Sequence, residues 1–213
     1  MELKFENVVP EPFASLSFDS ASFWGNSWTL STGERVLLNA SSGKGKTTFT
    51  HFTYGLRTDF KGTISFDNQS TKDFSIEKWT EIRQRKLAVV FQDLQLFSQL
   101  SVEDNLQLKA SLTGNFDSEK TKYNLDFVGL ADKWSQKCAI LSMGQLQRVA
   151  IIRALLQPFE WIILDEPFSH LDIENASKCM QLINERCDEL NAGFILTTLN
   201  STDAVSFNRE IKL

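Results

Sequence analysis

The stretch that most constrains this chain is a run of small and basic residues, Ala40-Ser41-Ser42-Gly43-Lys44-Gly45-Lys46-Thr47-Thr48. Arg35 to Asn39 reads as a strand that feeds it, and Thr47 to Tyr54 reads as the start of the helix that leaves it. Glycines let such a loop curl until its amides point inward at phosphate oxygens. The following helix adds its dipole and its unpaired first-turn amides. Ser42, Gly43, Lys44, Gly45, Lys46, Thr47 and Thr48 are therefore the candidate phosphate contacts. Lys46 is placed to neutralise β- and γ-phosphate oxygens, and the Thr47 hydroxyl to ligate Mg2+. Ala40 stands where the pattern expects its first glycine, which is tolerable if φ there is negative.

A second segment completes that chemistry. Ile162-Ile163-Leu164-Asp165-Glu166-Pro167 is an apolar strand ending in two carboxylates. A hydrated Mg2+ needs an oxygen ligand nearby, and Asp165 supplies one, directly or through water. Glu166 then orients or deprotonates an attacking water. Elsewhere the chain offers little metal or redox chemistry. Two histidines, His51 and His170, are too few for a protein-only zinc site. Three cysteines without a CxxC spacing fit reduced thiols in a reducing compartment.

The rest of the chain alternates strands and helices. Leu3 to Val8, Gly62 to Asp67, Lys86 to Phe91, Trp161 to Leu164 and Phe194 to Thr197 read as strands. Helices are expected between about Ser101 and Leu130, over Ser142 to Leu156 and over Ile173 to Leu190, with a helical turn at Ser201 to Val205. Phe13 to Trp28 reads as edge strands of an antiparallel sheet, with a turn at Gly25-Asn26. The alternation argues for an α/β fold with a mostly parallel sheet and helices on both sides.

A third motif, Leu141-Ser142-Met143-Gly144-Gln145, opens the helix that runs through Leu146-Gln147-Arg148-Val149-Ala150. With the phosphate loop and the carboxylate pair, it resembles the ATP-binding-cassette (ABC) ATPases over nearly the whole chain. The resemblance implies a P-loop NTPase, RecA-like core with an N-terminal antiparallel β portion and a helical subdomain. It implies one domain over 1–213, with residues 1–91 and 157–213 as catalytic core and 92–156 as helical subdomain. Ser142 is a good N-cap. In the family, Ser142, Gly144 and Gln145 would hold the γ-phosphate of ATP bound by the opposite subunit, so that two chains sandwich two ATP molecules. Met143 replaces the usual first glycine there. Gln92 matches the glutamine that contacts the metal or the water, and Ser169-His170-Leu171-Asp172 matches the loop that couples the two sites. An aromatic ring stacks on the base in the family; Phe13 is the candidate, although Ser17 sits nearer the usual distance. Leu199 falls where the family places a histidine on the γ-phosphate, unless a slip in register puts Asn200 there. One missing polar contact to developing charge costs on the order of 10² to 10³ in rate, so slow ATP hydrolysis is expected.

Composition bounds the partners. Net charge is -5 and pI about 5.2, without the basic surplus of a nucleic-acid binder. No apolar run reaches the ~18 residues that span a bilayer. The resemblance therefore implies a cytoplasmic ATPase subunit, paired as a homodimer or heterodimer, that powers a separate transmembrane permease and meets the membrane only through it. The residues before the third motif, Ser135 to Ala139, lack the Glu-Arg-Gly pattern of fused exporters and look more like stand-alone subunits of the lipoprotein-release or importer type. Two alternatives remain open from sequence: a non-hydrolysing or very slow dimerisation switch, and a soluble ABC ATPase without a membrane partner.

Overall fold

The computed structural model describes residues 1–39, 43–114, 116–198 and 206–213. Ala40, Ser41, Ser42, Leu199, Asn200 and the turn expected at Ser201 to Val205 lie outside the described residues. In chain order the elements are β1 (Leu3–Pro10), β2 (Trp28–Leu30), β3 (Arg35–Asn39), α1 (Lys46–Thr53), β4 (Phe60–Phe66), β5 (Gln69–Ser70), α2 (Ile76–Arg85) and β6 (Leu87–Val90). They continue with α3 (Val102–Ser111), α4 (Ser118–Phe127), α5 (Met143–Leu155), β7 (Trp161–Asp165), α6 (Ile173–Leu190), β8 (Gly193–Thr198) and β9 (Arg209–Lys212).

The strands form two sheets. A parallel sheet has the order β6-β7-β8-β3-β9, and an antiparallel one has the order β2-β1-β4-β5. Side chains alternate across a strand, and both faces of the parallel sheet are covered. Leu37, Ala88, Val90, Ile162, Leu164, Phe194 and Leu196 share a core with residues of α3, α4, α5 and α6. Val36, Leu38, Leu87, Ile163 and Ile195 turn the other way, into a core with α1, α2 and the antiparallel sheet. This double burial explains why β7 and β8 read as nearly unbroken apolar runs. Asp165 ends such a run and is fully buried.

The Phe13–Trp28 expectation is corrected. Only β2, at the end of that stretch, is a strand; Glu11–Phe13 is a single 3-10 turn and Ser22 makes one isolated bridge with Lys212. The reason is packing. Phe23 and Trp24 are consecutive and both buried, which a half-buried strand does not allow. Their rings meet edge to face at 5.1 Å, and Phe23 meets Phe5 and Phe49 at the same centroid distance. Aromatic burial of this size outweighs the weak pull of an alternating pattern. The Asn26 side-chain amide ties the loop to the carbonyls of Asp19 and Ser22.

Candidate functional site

The carboxylate pair sits where β7 leaves the parallel sheet. In the register of β7 with β8, Asp165 lies opposite Thr197. The Thr197 hydroxyl donates to Asp165 Oδ1 at 2.7 Å, and the Glu166 amide donates to the Thr197 carbonyl at 3.1 Å. One threonine on the neighbouring strand thus fixes both acidic residues. Glu166 itself adopts φ +50°, a left-handed conformation that a glutamate takes only when its surroundings impose it. The turn swings its carboxylate toward α1, where Oε1 lies 3.2 Å from Lys46 Nζ.

Asp165 Oδ2 is buried and has no hydrogen-bond partner among the described residues. Burial pushes the Asp165 carboxyl above its ordinary pKa; the Thr197 and Thr47 hydroxyls pull it back down, and the neighbouring Glu166 charge adds to the rise. An orphaned carboxylate oxygen near a threonine hydroxyl is a donor arrangement suited to a hard cation. The Thr47 hydroxyl donates to Gln92 Oε1 at 3.2 Å, which brings a third oxygen to the same place. Thr47, Gln92, His51, Phe91 and Asp93 line an open cleft of about 380 Å3 there. The residues present therefore fit Mg2+, with all-oxygen donors from Asp165, Thr47 and Gln92.

The phosphate loop reaches α1 through Gly45, which caps the helix at φ +99°. A β-carbon at Gly45 would lie 3.1 Å from the Trp24 ring and 3.2 Å from the Phe13 ring, so both aromatics crowd the loop from one side. The Trp24 indole N–H also donates to the Lys44 carbonyl at 3.1 Å. Phe13 thus lies beside the loop, half-buried against the aromatic core. Gly43 precedes the helix in a left-handed turn, and Thr48 lies in its first turn.

The third motif folds as a capped helix start. Ser142 Oγ accepts from the Gln145 amide, and Gln145 Oε1 accepts from the Ser142 amide at 2.9 Å, a reciprocal capping box. Helix geometry leaves the Met143 and Gly144 amides without carbonyl partners in the first turn. A β-carbon at Gly144 would lie 2.8 Å from the His170 carbonyl oxygen, so glycine there permits close packing on the segment after Glu166. Gln147, buried in α5, holds the same segment. Its amide donates to Ser169 Oγ at 2.8 Å, and its Oε1 accepts from the His170 amide at 3.0 Å. Met143 is half-exposed and lines a groove of about 310 Å3 with Gln92, Asp93, Leu96 and Leu146.

Two groupings emerge. Lys46, Thr47, Gln92, Asp165 and Glu166 are linked directly, whereas Ser142, Gly144 and Gln145 stand at the start of α5 against the Ser169–Leu171 segment. Sequence reasoning missed Trp24, Gln147 and Thr197. Their signals, a buried aromatic, a helical glutamine and a strand threonine, are common in any core, and only the three-dimensional pairing distinguishes them.

Residues 24–169 match the family model described as ABC transporter. The chain is 34% identical over 79% of its length to a lipoprotein-releasing system ATP-binding protein, LolD, of Pseudoalteromonas translucida, covering 74% of that protein. It is 32% identical over 88% of its length to the macrolide export ATP-binding/permease protein MacB of Aggregatibacter actinomycetemcomitans, of which it spans only 29%. Among solved structures, the dimeric ABC transporter cassette MJ0796 superposes with a TM-score of 0.77 at 28% identity, covering 92% of this chain and 87% of that one. The same cassette in a post-hydrolysis state bound to ADP and Pi gives 0.77 at 27% identity, covering 93% and 88%.

Proposed function

The chain belongs to the ABC transporter family of ATP-binding cassettes, and on that premise we propose that it hydrolyses ATP with Mg2+ to power a separate transmembrane permease. The observation that carries the chemistry is the acidic pair at the end of β7, with the Asp165 carboxylate and the Glu166 amide held by Thr197, Asp165 Oδ2 unpartnered and Glu166 reaching Lys46. Asp165, Thr47 and Gln92 hold the metal, which neutralises phosphate charge when bound. Lys46 binds the β- and γ-phosphate oxygens alongside the amides of Gly43, Lys44, Gly45, Thr47 and Thr48. Glu166 orients the attacking water and accepts its proton. With nucleotide present, Lys46 has phosphates to face, and Glu166 is released from it toward the water. Phe13 stacks on the base.

Ser142, Gly144 and Gln145 serve the nucleotide of a second ATPase subunit, identical or paired; the capping box takes the Gln145 amide, and the Met143 and Gly144 amides, which have no carbonyl partners in the helix, are left for that purpose. MacB carries ATP-binding and permease parts under one name. No helix among the described residues is long and apolar enough to cross a membrane. The likeness to LolD, an ATP-binding protein of which this chain covers 74%, supports a permease on another chain, with this subunit peripheral on the cytoplasmic side. Residues 92–156, a helical subdomain on the catalytic core of 1–91 and 157–213, present the Gln92 groove to that permease. Leu199 in place of the histidine makes turnover slow.

Phosphate release by the purified protein, compared with Glu166→Gln, tests the reading. Loss of at least about 100-fold in the variant is expected for removal of a general base. Equal rates would remove Glu166 from that role and favour the switch reading. Capture from host membranes with the Glu166→Gln chain and MgATP tests the partner: a multi-span protein at near-equal stoichiometry is expected, and soluble partners alone would overturn it.

A further inference from the structure

Between Gln92 and α3 the chain makes a turn that its residue types do not favour. Leu94 and Gln95 have φ of +60° and +50°, two consecutive non-glycine residues in the left-handed region. Such a conformation persists only where the surroundings over-determine it. Leu94 is buried in the core on the helical side of the parallel sheet, which anchors one of the two. The other constraint comes from the far end of α5. The Arg153 guanidinium donates to the Leu94 carbonyl at 2.7 Å and to the Gln95 carbonyl at 2.6 Å.

We propose that Arg153 is the positioning residue of the Gln92 loop, locking the left-handed turn so that Gln92 stays in reach of Thr47. Two charge-assisted donors in a rigid fork suit two adjacent carbonyls, which a lysine's single ammonium matches poorly. On the other side of the turn, Gln92 Oε1 accepts from Thr47, so the loop is held at both ends. Arg153 lies on the helix that begins at Ser142 and also carries Gln147, the clasp on Ser169 and His170. One helix thereby carries the Ser142 cap and touches two further functional segments, and a shift of α5 transmits to Gln92 through Arg153 within a single chain. The mechanistic consequence rests on the reading of Gln92 as a metal- or water-side residue; the positioning itself does not.

The test uses the full chain with Arg153→Lys and Arg153→Gln, each alone and with Gln95→Gly. Amide hydrogen exchange over residues 92–96 reads the turn directly; phosphate release gives kcat and the KM for MgATP. Exchange over 92–96 is expected to rise about tenfold in both single variants. The kcat is expected to fall about tenfold, the rate equivalent of one modest hydrogen bond, with KM changed less than about twofold. Gln95→Gly, which adopts a left-handed turn without strain, should recover part of the protection and of kcat. Unchanged exchange in a variant of near-native Tm overturns the proposal, as does a kcat loss that follows Tm alone and ignores Gln95→Gly. Raised exchange with unchanged kcat supports the positioning and instead removes Gln92 from the chemistry.

Discussion

The end of β7 and the start of α5 hold their functional groups by different means. At the end of β7, Asp165 is fully buried, Thr197 holds the Asp165 carboxylate and the Glu166 amide, and Glu166 sits in a strained backbone conformation. At the start of α5, Ser142 and Met143 are exposed, Gly144 and Gln145 are half-buried, and a local capping box organises them without left-handed backbone. The first is built by long-range contacts and is costly in the folded state. The second is built from four neighbouring residues and adds stability as any good cap does. On the proposed reading, the first region holds a metal and a water, which needs a rigid, desolvated frame. The second meets another subunit, which needs an open face.

Asp165→Asn tests the cost side most strongly. The variant should lose Mg2+-dependent phosphate release by at least about 100-fold, since the proposed metal ligand loses its charge. It should also be more stable than the parent at pH 7. The Asp165 carboxyl is held above its ordinary pKa, chiefly by burial, so the folded state binds its proton more tightly than the unfolded chain. Stability is therefore lost as pH rises through the range above the ordinary value of about 4, and asparagine escapes that loss. Calorimetric Tm at pH 7 and pH 4 should show a gain at the first and little at the second. A drop in Tm at pH 7 would mean that this strand end stores no such cost.

Thr197→Val attacks the same frame from the neighbouring strand. It removes the donor to Asp165 Oδ1 while keeping the volume, leaving that buried oxygen unpartnered. A loss of about 1–3 kcal/mol in unfolding free energy is expected, with a higher Mg2+ requirement in the phosphate-release assay. An unchanged Mg2+ dependence would show that Asp165 needs no such support.

Gly144→Ala probes the other region. A methyl group there would stand 2.8 Å from the His170 carbonyl, so the Ser169–Leu171 segment or α5 must move. Chain stability should fall by about 1–3 kcal/mol, as overpacking does. Nucleotide-dependent dimerisation, measured by light scattering, should weaken while MgATP affinity of the single subunit holds. Equal losses in both would erase the distinction between a self-contained site and an outward-facing one.

The same contrast decides how much was legible in the sequence. The phosphate loop, the carboxylates and the Ser142 cap are contiguous motifs, because phosphate and helix-end chemistry act on neighbouring residues. Thr197, Gln147 and Arg153 act on segments 22 to 59 residues away, and no local pattern marks them. For the fold, β3, β7, α5 and α6 were readable from periodicity and apolar runs. Besides the two-residue strand β5, two elements were not expected at all. Helix α2 is largely polar and buries fully only Ile82, so its apolar stripe is thin. Strand β9 alternates buried Ile211 with charged neighbours and pairs along β3 at the sheet edge. The Phe13–Trp28 stretch misled because alternation suggested strands, whereas the adjacent pair Phe23-Trp24 was the truer signal of a packed loop.

The smallest expected effect comes from α3, beside the far end of α5. Burial, with the Arg153 charge adding to it, pushes the Lys109 ammonium down to about 8 from its ordinary 10.5. Between those two pH values the unfolded chain keeps a proton that the folded chain has released, so stability rises with pH across that window. Below about 8 both states are protonated and the folded state carries the full penalty. Lys109→Met keeps the apolar stem and removes the charge, so it should raise Tm by a few degrees at pH 7, as relief of a buried charge does in a chain of this size. The gain should shrink as pH approaches 10.5. Paired melts of parent and variant at pH 7 and pH 10 isolate this group, because every other titration is common to both proteins. An equal gain at the two pH values would assign the effect to packing alone. A gain that fades with pH would place a second electrostatic cost beside the Arg153 end of α5, away from the Ser142 cap and distinct from the one at Asp165.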